Sequence, residues 1–401
     1  MASLDLFDLP VQPQALDWQQ RLILWWLTGQ SVSAYRQVLQ HFGQAELAIR
    51  ASVADWQALK LHASHLKRRQ QWQDSPRVQS AFERIFSAIA QQHYHLIQYD
   101  DIDYPKQLRQ IDEPPPFLFV RGERACLMQP QLAIVGSRKP TPSGVQIARQ
   151  FAASLADQGL WITSGLAHGI DTEAHVGALS VQGGRTIAVL GTGIEVCYPD
   201  NQRFLYDRII AEGGLIVSEF LPDTTARPYH FPRRNRIVSG LALGTLVVEA
   251  ALKSGSLITA RLAAEQGRLV FAIPGHIQNP QAHGCHHLIR EGAILVDQPE
   301  QVLEDLQLPR RWQAAEQNTG QNTQQKADAE LNPPQHAQPA VLSIPEHLQP
   351  LMVYLDWVAQ DMDSLVESSG WEIARLSAAL MELELLGHVV HSAGRYQRCR
   401  V

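Results

Sequence analysis

Apolar residues recur at three- and four-residue spacing through the first hundred positions, in RLILWWLTG, SVSAYRQVLQHFG, ASVADWQALKL and SAFERIFSAIAQQ. That period is one face of a helix, and the Gly and Ser residues between the runs end one helix and cap the next. Residues 1–100 thus predict a small helical domain. Trp25, Trp26 and Trp56 fall on the apolar stripes and belong in its core, while Lys67, Arg68 and Arg69 read as a solvated face. From about 101 to 306 the rhythm changes to short β-branched runs alternating with helical patterns: LAIVGS, WITSG, TIAVLG, LIVSE, TLVVEA, LVFAIPG and AILV. Strands without a polar face, each followed by a helix, predict an α/β fold with a parallel sheet covered on both sides.

Residues 307–344 are rich in Gln, Asn, Ala and Pro and predict a flexible linker. Over 345–401, PLMVYLDWV, SLVESSG, WEIARLSAALMELELLG and HVVHSAGRYQRCRV follow the order helix, helix-turn-helix and hairpin, that of a winged helix. This last domain carries eight acids against four arginines. Its second helix bears Glu372, Glu382 and Glu384, which would meet phosphate repulsion on duplex DNA, so a protein contact is expected of it instead.

In parallel sheets ligands sit beyond the carboxyl ends of the strands. Four loops stand there. Gly136-Ser137-Arg138 lets backbone approach an anion and adds a two-pronged donor. Ser164-Gly165 offers backbone donors toward the same place, with Asp171 expected as the cap of the next helix. Gly191-Thr192-Gly193 starts like a dinucleotide fingerprint, but Val196 stands at the third glycine position, so no NAD is expected. Lys253-Ser254-Gly255-Ser256 turns from strand into helix, where free N–H groups favour an anion. Ahead of the TLVVEA strand, Arg227, Phe231, Arg233, Arg234, Asn235 and Arg236 interleave an aromatic face with planar donors, which suits a base and its phosphates. Glu249 ends that strand, placed either for catalysis or to hold an arginine.

The chain has 45% hydrophobic and 18% charged residues, an ordinary globular balance, and a formal net charge of −6. A polyanion site must therefore be a local concentration of cations. The four cysteines, Cys126, Cys197, Cys285 and Cys399, form no CxxC pair, which argues against a disulfide framework or structural zinc and fits a reducing, cytoplasmic setting. His168, Asp171 and His175, and the run His283-Gly284-Cys285-His286-His287, read as helix-face and loop residues rather than metal ligands. No membrane-length apolar run, signal-peptide pattern, P-loop, GxSxG or HExxH is present, and no cofactor is expected.

Together AIVGSRKPTPSG, SGLAHGIDTEAH, TIAVLGTGIEVCYP, FPRRNRIVSGLALGTLVVEAALKSGSLITA and FAIPGHI, in order over roughly 130–296, resemble the DNA-processing protein A family, DprA or Smf. The resemblance implies a Rossmann-like core between an N-terminal helical domain, of the SAM or helix-hairpin-helix kind, and a C-terminal winged helix. It implies a non-enzymatic protein that binds incoming single-stranded DNA in natural transformation, loads the RecA recombinase and dimerises through the Rossmann-like domain. On that reading Arg138, the Ser164-Gly165 turn, Phe231 with the following RRNR run, and the Lys253 turn form the DNA pocket. One departure is His287, where family members carry an asparagine. The competing expectation is a nucleotide or phosphoribosyl hydrolase on a related scaffold, for which Glu249 is the one available carboxylate.

Overall fold

The computed structural model describes residues 13–308, 344–345, 347–356, 360–392 and 394–398. The expected linker and Cys399 fall almost wholly outside these residues. The chain divides into two units, Met1–Pro299 and Glu300–Val401.

The first unit opens with helices at Pro13–Leu27, Val32–Phe42, Ala45–Arg50, Val53–Ala58, Ala63–Asp74 and Pro76–Ala90. Ser31 caps the second by accepting from the Ala34 N–H, and Ser52 with Asp55 closes a reciprocal capping box on the fourth. Trp25 and Trp56 are fully buried, and the Trp56 indole donates to the Ala48 carbonyl at 2.8 Å. Trp26 is half-buried, edge-on to Phe82. The basic run is not uniformly solvated: Lys67 is exposed, but Arg69 is buried, donating to the Ala51 carbonyl. Its long stem fills a gap between helices while the head finds a backbone acceptor, so charge alone misplaced it.

The seven expected strands all form: β3 (Gln131–Val135), β4 (Trp161–Ser164), β5 (Thr186–Val189), β6 (Leu215–Ser218), β7 (Gly244–Val247), β8 (Leu269–Ala272) and β9 (Ile294–Leu295). Two more, β1 (His95–Gln98) and β2 (Phe117–Gly122), join them antiparallel beside β6. The sheet order is β1-β2-β6-β5-β4-β3-β7-β8-β9, with β3 parallel to both β4 and β7. The chain thus winds one way from β3 through β6 and the other way from β7 through β9. The crevice between β3 and β7 is the topological switch point. Phe117 of β2 packs against Trp25 and Tyr35, joining the helical segment to the sheet in one apolar core.

In the second unit, helices Met362–Ser369 and Ile373–Leu385 precede an antiparallel hairpin of β11 (Val389–Ser392) and β12 (Arg395–Arg398), with β10 (Gln360–Asp361) pairing β12. This is a winged helix. Leu365, Leu376, Leu380 and Leu383 build its core, and Asp361 and Gly370 cap the first of the two helices.

Candidate nucleic-acid interface

The loops after β3 and β7 meet at the switch point and bound a cavity of about 840 Å³. Its walls include Gly136, Ser137, Arg138, Gly165, Arg227, Phe231, Arg234, Asn235, Lys253, Ser254, Gly255 and Ser256. Three other expected residues lie elsewhere. The Ser164 hydroxyl is buried, donating to the Ile134 carbonyl at 2.6 Å. Arg233 and Arg236 turn to the buried Glu219 carboxylate, each at 2.7 Å.

The β3 loop is held tightly. Ser137 N–H donates to the Glu249 carbonyl at 2.7 Å, the Ser137 carbonyl accepts from Ile170 N–H at 3.1 Å, and the Ser137 hydroxyl accepts from Lys139 N–H at 3.1 Å. Gly136 is required here because a Cβ would stand 2.6 Å from Ile170 and 2.9 Å from the Glu249 carbonyl. Arg138 itself is exposed, its guanidinium 6.0 Å from the centre of the Phe231 ring. Across the crevice, Ser254 N–H bonds the Ala251 carbonyl and the Ser254 and Ser256 hydroxyls pair at 2.6 Å. The helix Ser256–Glu265 begins with Gly255 as a cap that has no side chain to offer. The N–H groups of Lys253 and Gly255 find no acceptor among the described residues, so the turn presents free donors and the positive end of a helix to the cavity.

Phe231 is the second residue of the helix His230–Leu241 and lies half-buried at the mouth. Tyr198 flanks it, ring centres 5.3 Å apart. Gly191 is bare for this reason: a Cβ there would stand 2.7 Å from the ring. The Gly191-Thr192-Gly193 turn is a brace, with Gly193 N–H donating to the Thr224 carbonyl and the Thr192 hydroxyl to the Val196 carbonyl.

Arg234 forms the floor. Its Nη1 donates to the Gly165 carbonyl at 2.6 Å and to the Val189 carbonyl. Burial pulls its pKa down to about 10, against the pull of Asp171 in the other direction, which leaves it cationic at neutral pH. Asp171 is not a helix cap; Gly169 holds that position. Instead its carboxylate accepts from Gly165 N–H at 3.1 Å and Ala167 N–H at 3.4 Å. Burial pushes its pKa up, with Arg234 and those two amides opposing. The Gly165 donor expected for a ligand is therefore already engaged by an internal acid. Glu249 neither faces the cavity nor holds an arginine: both carboxylate oxygens accept from Thr141, whose hydroxyl caps the helix Pro142–Asp157.

Tyr198 and Lys139 are among the cavity-lining side chains that escaped the sequence reading. An aromatic-proline pair in a loop after a glycine turn was the available signal for Tyr198. The His283 run forms a helix, His283–Arg290, rather than an irregular loop, with Cys285 buried against the Val247 carbonyl. His287 lies 3.4 Å from Glu291. No group of three metal-ligating side chains comes together among the described residues.

A doubly wound α/β sheet with an arginine-edged cavity at its switch point, followed by a winged helix, defines a Rossmann-like protein of two units. The family model for DNA recombination-mediator protein A matches residues 95–307, and that for the DprA winged helix domain matches 333–395. Protein Smf of Escherichia coli (strain K12) is 41% identical over 335 residues, spanning 84% of this chain and 85% of that protein. DNA processing protein DprA of Streptococcus pneumoniae is 46% identical over 204 residues, 51% of this chain and 71% of that one. The X-ray structure of DNA processing protein A from S. pneumoniae superposes with a TM-score of 0.61 at 36% identity, covering 71% of this chain and 97% of that one. The chain belongs to the DNA recombination-mediator protein A family, whose members carry the names DprA and Smf.

Proposed function

We propose that the switch-point cavity binds single-stranded DNA and that the protein delivers that strand to a recombinase without chemistry of its own. The observation that carries this reading is the pairing of the Phe231 ring with Arg138 on one side and the open turn of Lys253 and Gly255 on the other. A splayed base stacks on Phe231 while its flanking phosphates take the arginine and the free amides. Stacking is open to any base, and duplex DNA has no unstacked base to offer. Family membership supports the finer parts: RecA as the recombinase, natural transformation as the setting, a homodimer through the Rossmann-like core, and the cytoplasm as the place. No helix among the described residues is long and apolar enough to cross a membrane.

The hydrolase alternative required a free carboxylate at the rim, and Glu249 is committed to Thr141. Fluorescence anisotropy with single- and double-stranded oligonucleotides across a salt series tests the proposal. Preference for the single strand and a steep fall of affinity with salt are expected. Equal or tighter duplex binding would overturn the reading, and base release from nucleoside monophosphates would restore the enzyme.

A further inference from the structure

Among the residues lining the cavity, Arg138, Lys139, Arg227, Arg234 and Lys253 are cationic and Asp171 alone is acidic. An acid at the bottom of an anion site needs a reason. Leu166, between the two amides that Asp171 holds, has φ of +56°, a conformation that costs a branched residue free energy unless its surroundings fix it. That local geometry turns the Gly165 and Ala167 N–H groups inward onto one oxygen of Asp171, the arrangement in which backbone amides cradle an anion. Gly165 also keeps Arg234 close to the carboxylate: Arg234 Nη2 and Asp171 Oδ2 would lie 2.5 and 2.7 Å from a Cβ on that glycine. They form no direct ion pair. Asp171 thus occupies the anion cradle of the β4 loop and balances the buried cation from a short distance.

We propose that Asp171 selects the ligand class: by filling the β4 amide cradle and offsetting Arg234, it admits singly charged phosphodiesters and rejects doubly charged phosphomonoesters. This inference rests on the single-strand reading above. An internal phosphate of a strand carries one negative charge and is met by Arg138 and the Lys253 turn at the rim. A free nucleotide or inorganic phosphate carries close to two at neutral pH and would seek the deeper cation, where Asp171 repels it. Free nucleotides would otherwise compete for the same cavity in a cell.

The test is competition against a fluorescein-labelled oligo(dT) without terminal phosphates, at constant ionic strength, using AMP, inorganic phosphate and unlabelled oligo(dT). The intact protein should release the label to oligo(dT) and not to millimolar AMP or phosphate. Asp171→Asn keeps an acceptor for the two amides and removes the charge. It should retain oligo(dT) affinity within about threefold, yet yield to AMP or phosphate at concentrations at least tenfold lower, since an uncompensated buried guanidinium then draws the dianion. Adding Arg234→Gln to that variant should restore the exclusion.

Should Asp171→Asn fail to fold, the intact protein still decides the matter. A 5′-phosphorylated dT tetramer should bind no tighter than the unphosphorylated one. Several-fold tighter binding of the phosphorylated tetramer, or unchanged competition in a folded Asp171→Asn variant, would overturn the proposal. If oligo(dT) itself fails to bind, it is the single-strand reading that falls.

Discussion

The Arg236 guanidinium meets the Glu219 carboxylate at 2.7 Å inside the protein, and Arg233 reaches the same oxygen at the same distance. Glu219 is fully buried. Its backbone carbonyl also accepts from the Trp25 indole, so the acid ties the arginine helix to the N-terminal helical segment. Removing one partner of a buried ion pair leaves an uncompensated charge. Glu219→Gln is therefore expected to cost about 3–5 kcal/mol of folding stability, read by urea unfolding. Arg236→Ala should lower stability in the same direction but by less, because Arg233 still pairs with the same oxygen. An Arg236→Ala protein of unchanged stability and weakened DNA binding would return this arginine to the interface.

Arg138 is the contrasting case. Its side chain is exposed and makes no ion pair among the described residues, its guanidinium lying 6.0 Å from the centre of the Phe231 ring. Arg138→Ala should leave the unfolding midpoint within about 0.5 kcal/mol of the parent. It should weaken single-strand binding by about 1–3 kcal/mol and lower the salt dependence by roughly one phosphate contact. Unchanged affinity in anisotropy titrations would remove Arg138 from the interface.

Why the arginine run divides in this way is a matter of helical period. Arg233 and Arg236 stand three apart on the helix His230–Leu241 and so share a face, while Arg234 points elsewhere, to the β4 loop. Read as a chain segment before a strand, the run places all its charges at one rim. Read as a helix, it cannot. What no local pattern shows is Glu219, which stands 14 residues before Arg233, at the far end of the same loop that joins β6 to this helix. The same limit applies to β1 and β2. His95–Gln98 has four residues, mostly half-buried, and Phe117–Gly122 follows three prolines, and each leads only into a short helical turn, Lys106–Arg109 or Arg124–Met128, too brief to show a helical period. β3 to β7 were legible because burial on both faces demands continuous apolar runs, while β8 and β9, toward the sheet edge and partly exposed, still carry such runs. The glycine turns were legible as turns, but their ligands were not. Gly191 makes room for a ring, and Gly165 makes room for Arg234 and Asp171.

Phe231 depends on that missing side chain at Gly191. Phe231→Ala should cost about 1–3 kcal/mol of single-strand affinity, the usual value of one base–aromatic stack. Gly191→Ala leaves Phe231 in the sequence but pushes its ring, because the new methyl would stand 2.7 Å from Cδ1 and 2.9 Å from Cε1. It should weaken binding in the same direction. If Gly191 acts only through the ring, Gly191→Ala adds nothing in a Phe231→Ala background. Losses that simply add in the double mutant would show a separate role for the turn.

His175 sets an acid limit on stability. It is fully buried on the helix Ile170–Ala178, and its Nδ1 lies 2.7 Å from the Thr186 hydroxyl oxygen. The Thr186 hydroxyl spends its own proton on the Ile162 carbonyl, so Nδ1–H is the donor to Thr186. Nε2 is left buried without a partner among the described residues, and protonating it would place a second cation near Arg234. Burial first, and Arg234 second, lower the pKa of His175 to about 3, against about 6.5 in an unfolded chain. The unfolded state then takes up the proton first. The contribution is complete above pH 6.5 and declines as pH falls toward 3, by about 1.4 kcal/mol per unit at most, or about 2 kcal/mol at pH 5. Burial lowers His65 and His230 in the same direction, so the effect of His175 is the difference between the parent and His175→Gln. Urea unfolding at pH 5 and pH 7 should show a smaller loss in the variant. Equal losses in the two proteins would mean that His175 takes up its proton in the folded state as readily as in the unfolded one.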